Sequence, residues 1–140
     1  MNFRTDLAVE RQEVFKKINN ISEDIPGIES EEKQISKSIH VYKVKVKDHQ
    51  GEEAIQKPIG NYVTIDVKKM KNIQDEEKEK IAFTISSELQ ELIKGQVGKK
   101  EEILIVGLGN LYSTPDSLGP KVIQKVDVTR HIFKYLPQYV

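Results

Sequence analysis

Glu101-Glu102-Ile103-Leu104-Ile105-Val106-Gly107 carries most of the fold information in this chain. Four consecutive apolar residues, behind two acids and ahead of a glycine, read as a strand buried on both faces, as strands of a parallel sheet are. Upstream, residues 75–94 read as a helix. Asp75 can cap it, and Glu76 and Glu77 sit in the positive first turn. Ile81, Ile85, Leu89, Leu92 and Ile93 make one apolar stripe, Lys94 closes the last turn, and Gly95 can take the left-handed stop position. A helix followed by such a strand is half of an α/β unit. Downstream, Pro120 is a good first helical residue, and Val122, Ile123 and Val126 continue a helix.

Further upstream, residues 8–20 read as a short helix with Val9, Val14, Phe15 and Ile18 on one side. Pro26-Gly27 breaks it, and residues 29–38 read as a polar, mobile connection. Ile39, Val41, Val44 and Val46 alternate with polar residues as in a half-exposed strand. The alternation slips at Tyr42-Lys43, which predicts a bulge or a register change. Asp48-His49-Gln50-Gly51 and Pro58-Ile59-Gly60-Asn61 read as turns, and Tyr62 to Val67 as a second strand. The fold class expected is α/β, a mixed sheet with helices near 8–20, 75–94 and 120–135. A strand buried on both faces needs more neighbours than two or three strands provide, so the chain reads as an incomplete part of a larger α/β domain.

Composition agrees with that reading and excludes several functions. The 140 residues suffice for one domain, yet only 37% are hydrophobic. Residues 101–140 hold only eight of the 44 charged side chains, so the last forty read as core-facing. The 22 acids balance 22 bases, which argues against a nucleic-acid partner. No run of ~18 apolar residues could span a membrane. Arg4, Asp6 and Glu10 leave no apolar core for a secretory signal. Without cysteine there are no disulfides, thiolate metal sites or cysteine nucleophiles.

The chemistry is expected after the buried strand, where open α/β sheets bind ligands. Gly107-Leu108-Gly109-Asn110 leads into a loop through Ser113-Thr114-Pro115-Asp116 to Gly119-Pro120, and the two glycines would let backbone approach a ligand. A dinucleotide fingerprint fails, because its third glycine would be Tyr112, and a phosphate loop fails for want of Gly-Lys-Ser/Thr. Asp116 reads either as a turn-former or N-cap or as a general acid/base at a strand end. Asp127 reads as a surface charge. His40, His49 and His131 lack metal-ligand spacing. His131 is open to lining a pocket, with a solvated or hydrogen-bonded structural role the plainer reading. Ser113 and Ser117 lack the context of a nucleophile elbow, and the run from Asp75 to Lys80 reads as a solvated helix face. No metal and no cofactor is expected.

Five stretches, taken in order, resemble the germination protease of spore-forming bacteria: Arg4 to Glu10, Gly60 to Ile65, Val106 to Asn110, Thr114 to Pro120, and Val128 to Phe133. Residues 19–57 are the least similar. The resemblance implies an endopeptidase that degrades small acid-soluble spore proteins during germination. It further implies a zymogen that removes its own propeptide, here residues 1–6, at Asp6–Leu7. The family's aspartic-type chemistry uses two carboxylates sharing a proton. Asp116 matches the first, in an active-site loop with Gly107, Gly109, Asn110 and Thr114. The second lies on a later strand, and no residue of this chain matches it. The expectation is therefore the N-terminal portion, 1–140, of a single germination-protease domain, inactive alone. A homotetramer in the cytoplasm of the forespore and spore core is implied as well. Two other readings stand beside it. One is a non-catalytic assembly or regulatory fragment. The other is a peptidase of the hydrogenase-maturation type, which has a similar Gly-x-Gly-Asn turn but needs metal-binding acids and histidines.

Overall fold

A computed structural model describes residues 7–22, 24–68, 73–98, 102–130 and 135. The chain divides into two compact units, Met1–Lys94 and Gly95–Val140. The class is α/β: a sheet with flanking helices. Among the described residues every strand pairing is antiparallel.

The first unit is built on β1 (Ile28–Gln34), β2 (Ile39–Val46) and β3 (Gly60–Val67), in the order β1-β2-β3. The register runs unbroken from Ile28↔Val46 to Gln34↔His40, and from Ile39↔Val67 to Val46↔Gly60. The slip at Tyr42-Lys43 is therefore neither a bulge nor a register change. Side chains alternate across a strand, so Ile39, Val41 and Lys43 share one face, and Tyr42, Val44 and Val46 the other. Ile39 and Val41 are buried at one end of β2, Val44 and Val46 at the other. The central strand is covered on opposite faces at its two ends, and the hydrophobic pattern changes parity where the cover changes side.

Helices α1 (Ala8–Asn19) and α2 (His49–Ile55) supply one cover. Ala8, Ile25, Ile28, Val44, Val46 and Ile55 form a core cluster, with Val9, Phe15, Ala54 and Tyr62 packed against it. The segment expected to be a turn at Asp48-Gly51 instead starts α2. Asp48 caps the helix by accepting a bond from the Gly51 amide at 3.0 Å. Beneath it lies the Pro26-Gly27 turn. Gly27 has φ +79°, and a Cβ there would stand 2.1 Å from Asp48 Oδ1 and 2.5 Å from the Gly51 amide nitrogen.

The other cover is α3 (Asp75–Ile93), whose position was legible but whose orientation was not. Its buried residues are Ile81, Thr84 and Glu88, while Ile85 and Leu89 are about half exposed. Lys43 explains the rotation. Its ammonium, projecting from the central strand, lies 2.8 Å from Glu88 Oε2 and 2.6 Å from Glu91 Oε2. An ammonium over a sheet needs a carboxylate partner, so the helix turns its Ile81–Thr84–Glu88 line inward, which keeps Ile81 of the expected stripe buried and leaves Ile85 and Leu89 on the flank. The hydrogen bonds to Glu88 and Glu91 raise the Lys43 pKa above its ordinary value. The expected cap also differs: the N-cap is Gln74, with Asp75 inside the first turn. Gly95 does adopt positive φ, at +81°.

Residues 29–34, expected to be mobile, form the edge strand β1. Only Ile28 is buried, and backbone pairing with β2 holds the rest. Its charged side chains guard the open edge. The turn after β1 is clasped to α3. The hydroxyls of Ser36 and Ser38 both donate to Glu77 Oε1, and these bonds, Ser36 first, hold the Glu77 pKa below the ordinary 4.5. Because the folded-state value lies below the unfolded one, the clasp stabilises above pH 4.5 and its contribution is lost as pH falls through the folded value. The double variant Ser36→Ala/Ser38→Ala should therefore be less stable than the parent in urea melts at pH 7. The difference should shrink on acidification below pH 4.5, and a gap that stayed constant with pH would contradict the clasp.

In the second unit the expected buried strand does not form. Residues 102–109 belong to no sheet among the described residues, and Ile103, Leu104, Ile105 and Val106 are 58%, 87%, 53% and 65% exposed. A doubly covered strand needs neighbours on both edges, and none is paired with it here. The helix expected at 120–135 is interrupted: Arg130 and Tyr135 are helical, residues 131–134 lie outside the described residues, and the chain between Gln124 and Thr129 is not helical. Its first part is α4, Leu118–Ile123, with Pro120 in its first turn. The amides of Lys125 and Val126 then bond back three residues, to Val122 and Ile123, and tighten the chain out of the helix.

Candidate active site

The loop between Gly107 and Pro120 is tied to itself by backbone. The Asn110 amide donates to the Asp116 carbonyl at 3.0 Å, the Ser113 amide to the Asn110 carbonyl at 3.1 Å, and the Asp116 amide to the Ser113 carbonyl at 2.9 Å. Asn110 Oδ1 also accepts from the Tyr112 amide at 3.0 Å, an Asx-type turn that suits asparagine at the start of the loop. Thr114–Asp116 forms a single 3-10 turn, in which Pro115 sets a compatible φ.

The glycines serve this closure. A Cβ on Gly107 would lie 2.4 Å from the Gly119 carbonyl oxygen, and one on Gly119 would lie 2.1 Å from that of Leu108. Gly109 has φ +135°, and its Cβ would lie 2.0 Å from the Asp116 carbonyl oxygen and 3.1 Å from Asp116 Oδ1. What approaches these glycines is the chain itself, two backbones in contact, where the sequence had pointed to an approaching ligand.

The result presents Asp116. Its backbone is fixed at both polar groups, its side chain is exposed above Gly109, and the carboxylate makes no ion pair or hydrogen bond among the described residues. It belongs to the 3-10 turn and is not the N-cap of α4, a position held by Ser117. Thr114 is exposed in the same turn. Ser117, which sequence reasoning considered only as a nucleophile, is buried beside the acid.

The other residues singled out in the sequence lie apart from this loop or outside the described residues. Leu7 is exposed and extended at the N-cap of α1, its carbonyl accepting from the Arg11 amide at 3.1 Å. Asp6 and His131 lie outside the described residues. Asp127 is exposed, and Arg130 pairs with Glu102 at 3.1 Å between two exposed side chains, a contact of little energetic weight. His40, on β2, lies 3.6 Å from Glu32, and exposed His49 lies 3.0 Å from Glu52. Among the described residues no three His, Asp or Glu side chains gather as a metal would require. No described helix is long and apolar enough to cross a membrane.

Residues 4–140 match the family described as germination protease. The chain is 40% identical over 140 residues to the germination protease of Clostridium tetani, covering 100% of this chain and 42% of that protein. It is 38% identical over 139 residues to that of Clostridium perfringens strain 13, covering 99% and 42%. Against that of Bacillus cytotoxicus it is 36% identical over 139 residues, covering 98% and 37%. The chain thus spans about two-fifths of the length of the relatives it matches.

Proposed function

This chain belongs to the germination protease family, and on that premise we propose that it carries the first half of an aspartic-type active site, with Asp116 as its acid/base. The observation that carries the reading is the exposed, unpaired carboxylate that a backbone-closed loop presents above Gly109. Gly107, Gly109, Asn110 and Thr114 frame it. In such chemistry one carboxylate takes a proton from the attacking water while the other protonates the substrate carbonyl or the leaving nitrogen. Asp116 fills one of these roles. The second carboxylate belongs to sequence of the kind the longer relatives carry beyond the matched region. The exposed run Ile103–Val106 supports the same division, since it has the composition of a central strand and would pair with further strands of a larger α/β domain.

The substrates are small acid-soluble spore proteins, cut during germination in the cytoplasm of the forespore and spore core. The protein is made as a zymogen with residues 1–6 as propeptide, and it acts as a homotetramer. Exposed Leu7 at the N-cap supports the processing site, because cleavage at Asp6–Leu7 would leave α1, beginning at Ala8, intact. Incubation with a small acid-soluble spore protein, read by mass spectrometry, tests the assignment. The full-length protein should cut the substrate at defined acidic-then-apolar bonds and should itself begin at Leu7 after processing. The 140-residue chain alone should cut nothing. Specific cleavage by the isolated chain would defeat the two-carboxylate reading.

The alternative of an assembly or regulatory fragment is favoured by that same uncovered run, which offers apolar surface to a partner. It predicts stable binding to the remainder of the enzyme without restored proteolysis.

A further inference from the structure

We propose that Ser117 is a positioning residue for Asp116, its inward-turned hydroxyl fixing the turn that aims the acid outward. The inference rests on the reading of Asp116 as catalytic. Among the described residues from 102 to 130, Ser117 is the one that is buried, at 3% exposure, while its neighbours Thr114, Asp116 and Leu118 are open. A buried hydroxyl is costly unless it finds a partner. Ser117 Oγ finds one in the Thr114 carbonyl at 3.1 Å, closing the turn Thr114–Asp116 from the inside.

That bond is unusual for its position. Ser117 stands at the N-cap of α4, where a serine ordinarily has extended backbone and accepts from an amide of the first helical turn. Here φ is −90° and ψ −2°, and its side chain caps none of the helix amides. The hydroxyl serves the turn that carries Asp116 instead of the helix that follows.

The geometric consequence falls on the acid. Ser117 faces in, and the Asp116 side chain beside it in the same turn is exposed. The Asp116 amide and carbonyl are held by Ser113 and Asn110, and the absent side chain of Gly109 leaves room under Oδ1. A group held this way loses little freedom on meeting substrate. Positioning of this kind is worth up to about 100-fold in rate for a displacement of about 1 Å.

The test compares Ser117→Ala, Ser117→Thr and Asp116→Asn in a full-length germination protease carrying this segment, with a small acid-soluble spore protein as substrate. Ser117→Ala should lower kcat about 10- to 100-fold with KM unchanged, and Ser117→Thr, which keeps the hydroxyl, should regain most of the loss. An inactive Asp116→Asn beside a Ser117→Ala of parental kcat overturns this inference and leaves the catalytic reading standing. An active Asp116→Asn overturns both. Equal losses in Ala and Thr, with KM raised and Tm lowered, would make Ser117 a packing residue and likewise overturn the inference.

Discussion

Replacing Asp116 with asparagine in a full-length germination protease carrying this segment should, on the proposed reading, abolish cleavage of small acid-soluble spore proteins while leaving the loop folded. The two properties separate because the hydrogen bonds that hold position 116 are backbone bonds, from the Asn110 amide and to the Ser113 carbonyl. Asparagine has the size of aspartate and keeps both. It cannot accept a proton from water at ordinary pH, so the acid/base contribution, typically 10²–10⁴-fold, should vanish. Since one member of a carboxylate pair cannot perform both proton tasks, the expected loss lies at or beyond the upper end of that range. Single-turnover digestion followed by mass spectrometry measures the rate, and circular dichroism monitors the fold. Cleavage at the parental rate by Asp116→Asn would remove Asp116 from the mechanism.

The largest effect on stability is expected at Gly27. Positive φ costs a side-chain-bearing residue about 1–2 kcal/mol, and here the new Cβ would also meet Asp48 Oδ1 and the Gly51 amide, 2.1 and 2.5 Å away. Neither can retreat without breaking the cap of α2, itself worth about 1 kcal/mol. Gly51 gives no slack, because a Cβ there would already be 2.4 Å from the Gly27 carbonyl oxygen. Gly27→Ala should therefore destabilise the first unit by about 3 kcal/mol. Urea denaturation should show the midpoint falling with the slope unchanged. A loss under about 0.5 kcal/mol, the range of an ordinary surface substitution, would mean that the turn can move away from α2.

Much of this arrangement was legible in the residues, and the failures have identifiable physical causes. Strand β2 was readable because β-branched residues alternate at both of its ends. The parity change in the middle was misread because a bulge and a change of covered face leave the same trace in sequence. Helix α3 was placed by its stripe and acidic first turn, yet periodicity carries no information that Lys43 would demand Glu88 as a partner. Strand β1 was missed because one buried side chain, Ile28, gives no alternation to detect. The Asp116 loop was found through its glycines, though what they accommodate is the neighbouring backbone. Ser117 could have been suspected, since a serine directly before a proline-containing helix start commonly faces inward or caps. In the structure it faces inward, to the Thr114 carbonyl, and does not cap.

The uncovered run Ile103–Val106 also bears on how this chain behaves in bulk. Four β-branched or apolar residues with no proline and no charge among them have the composition of segments that stack into intermolecular cross-β ladders. The charged edge of β1 protects the first unit from that fate, while ahead of the run stand the four charged residues Lys99-Lys100-Glu101-Glu102 as gatekeepers. A surface that covered this run would thus do more than complete a sheet: it would raise the concentration at which chains can remain dispersed, so solubility and sheet completion would depend on the same four side chains.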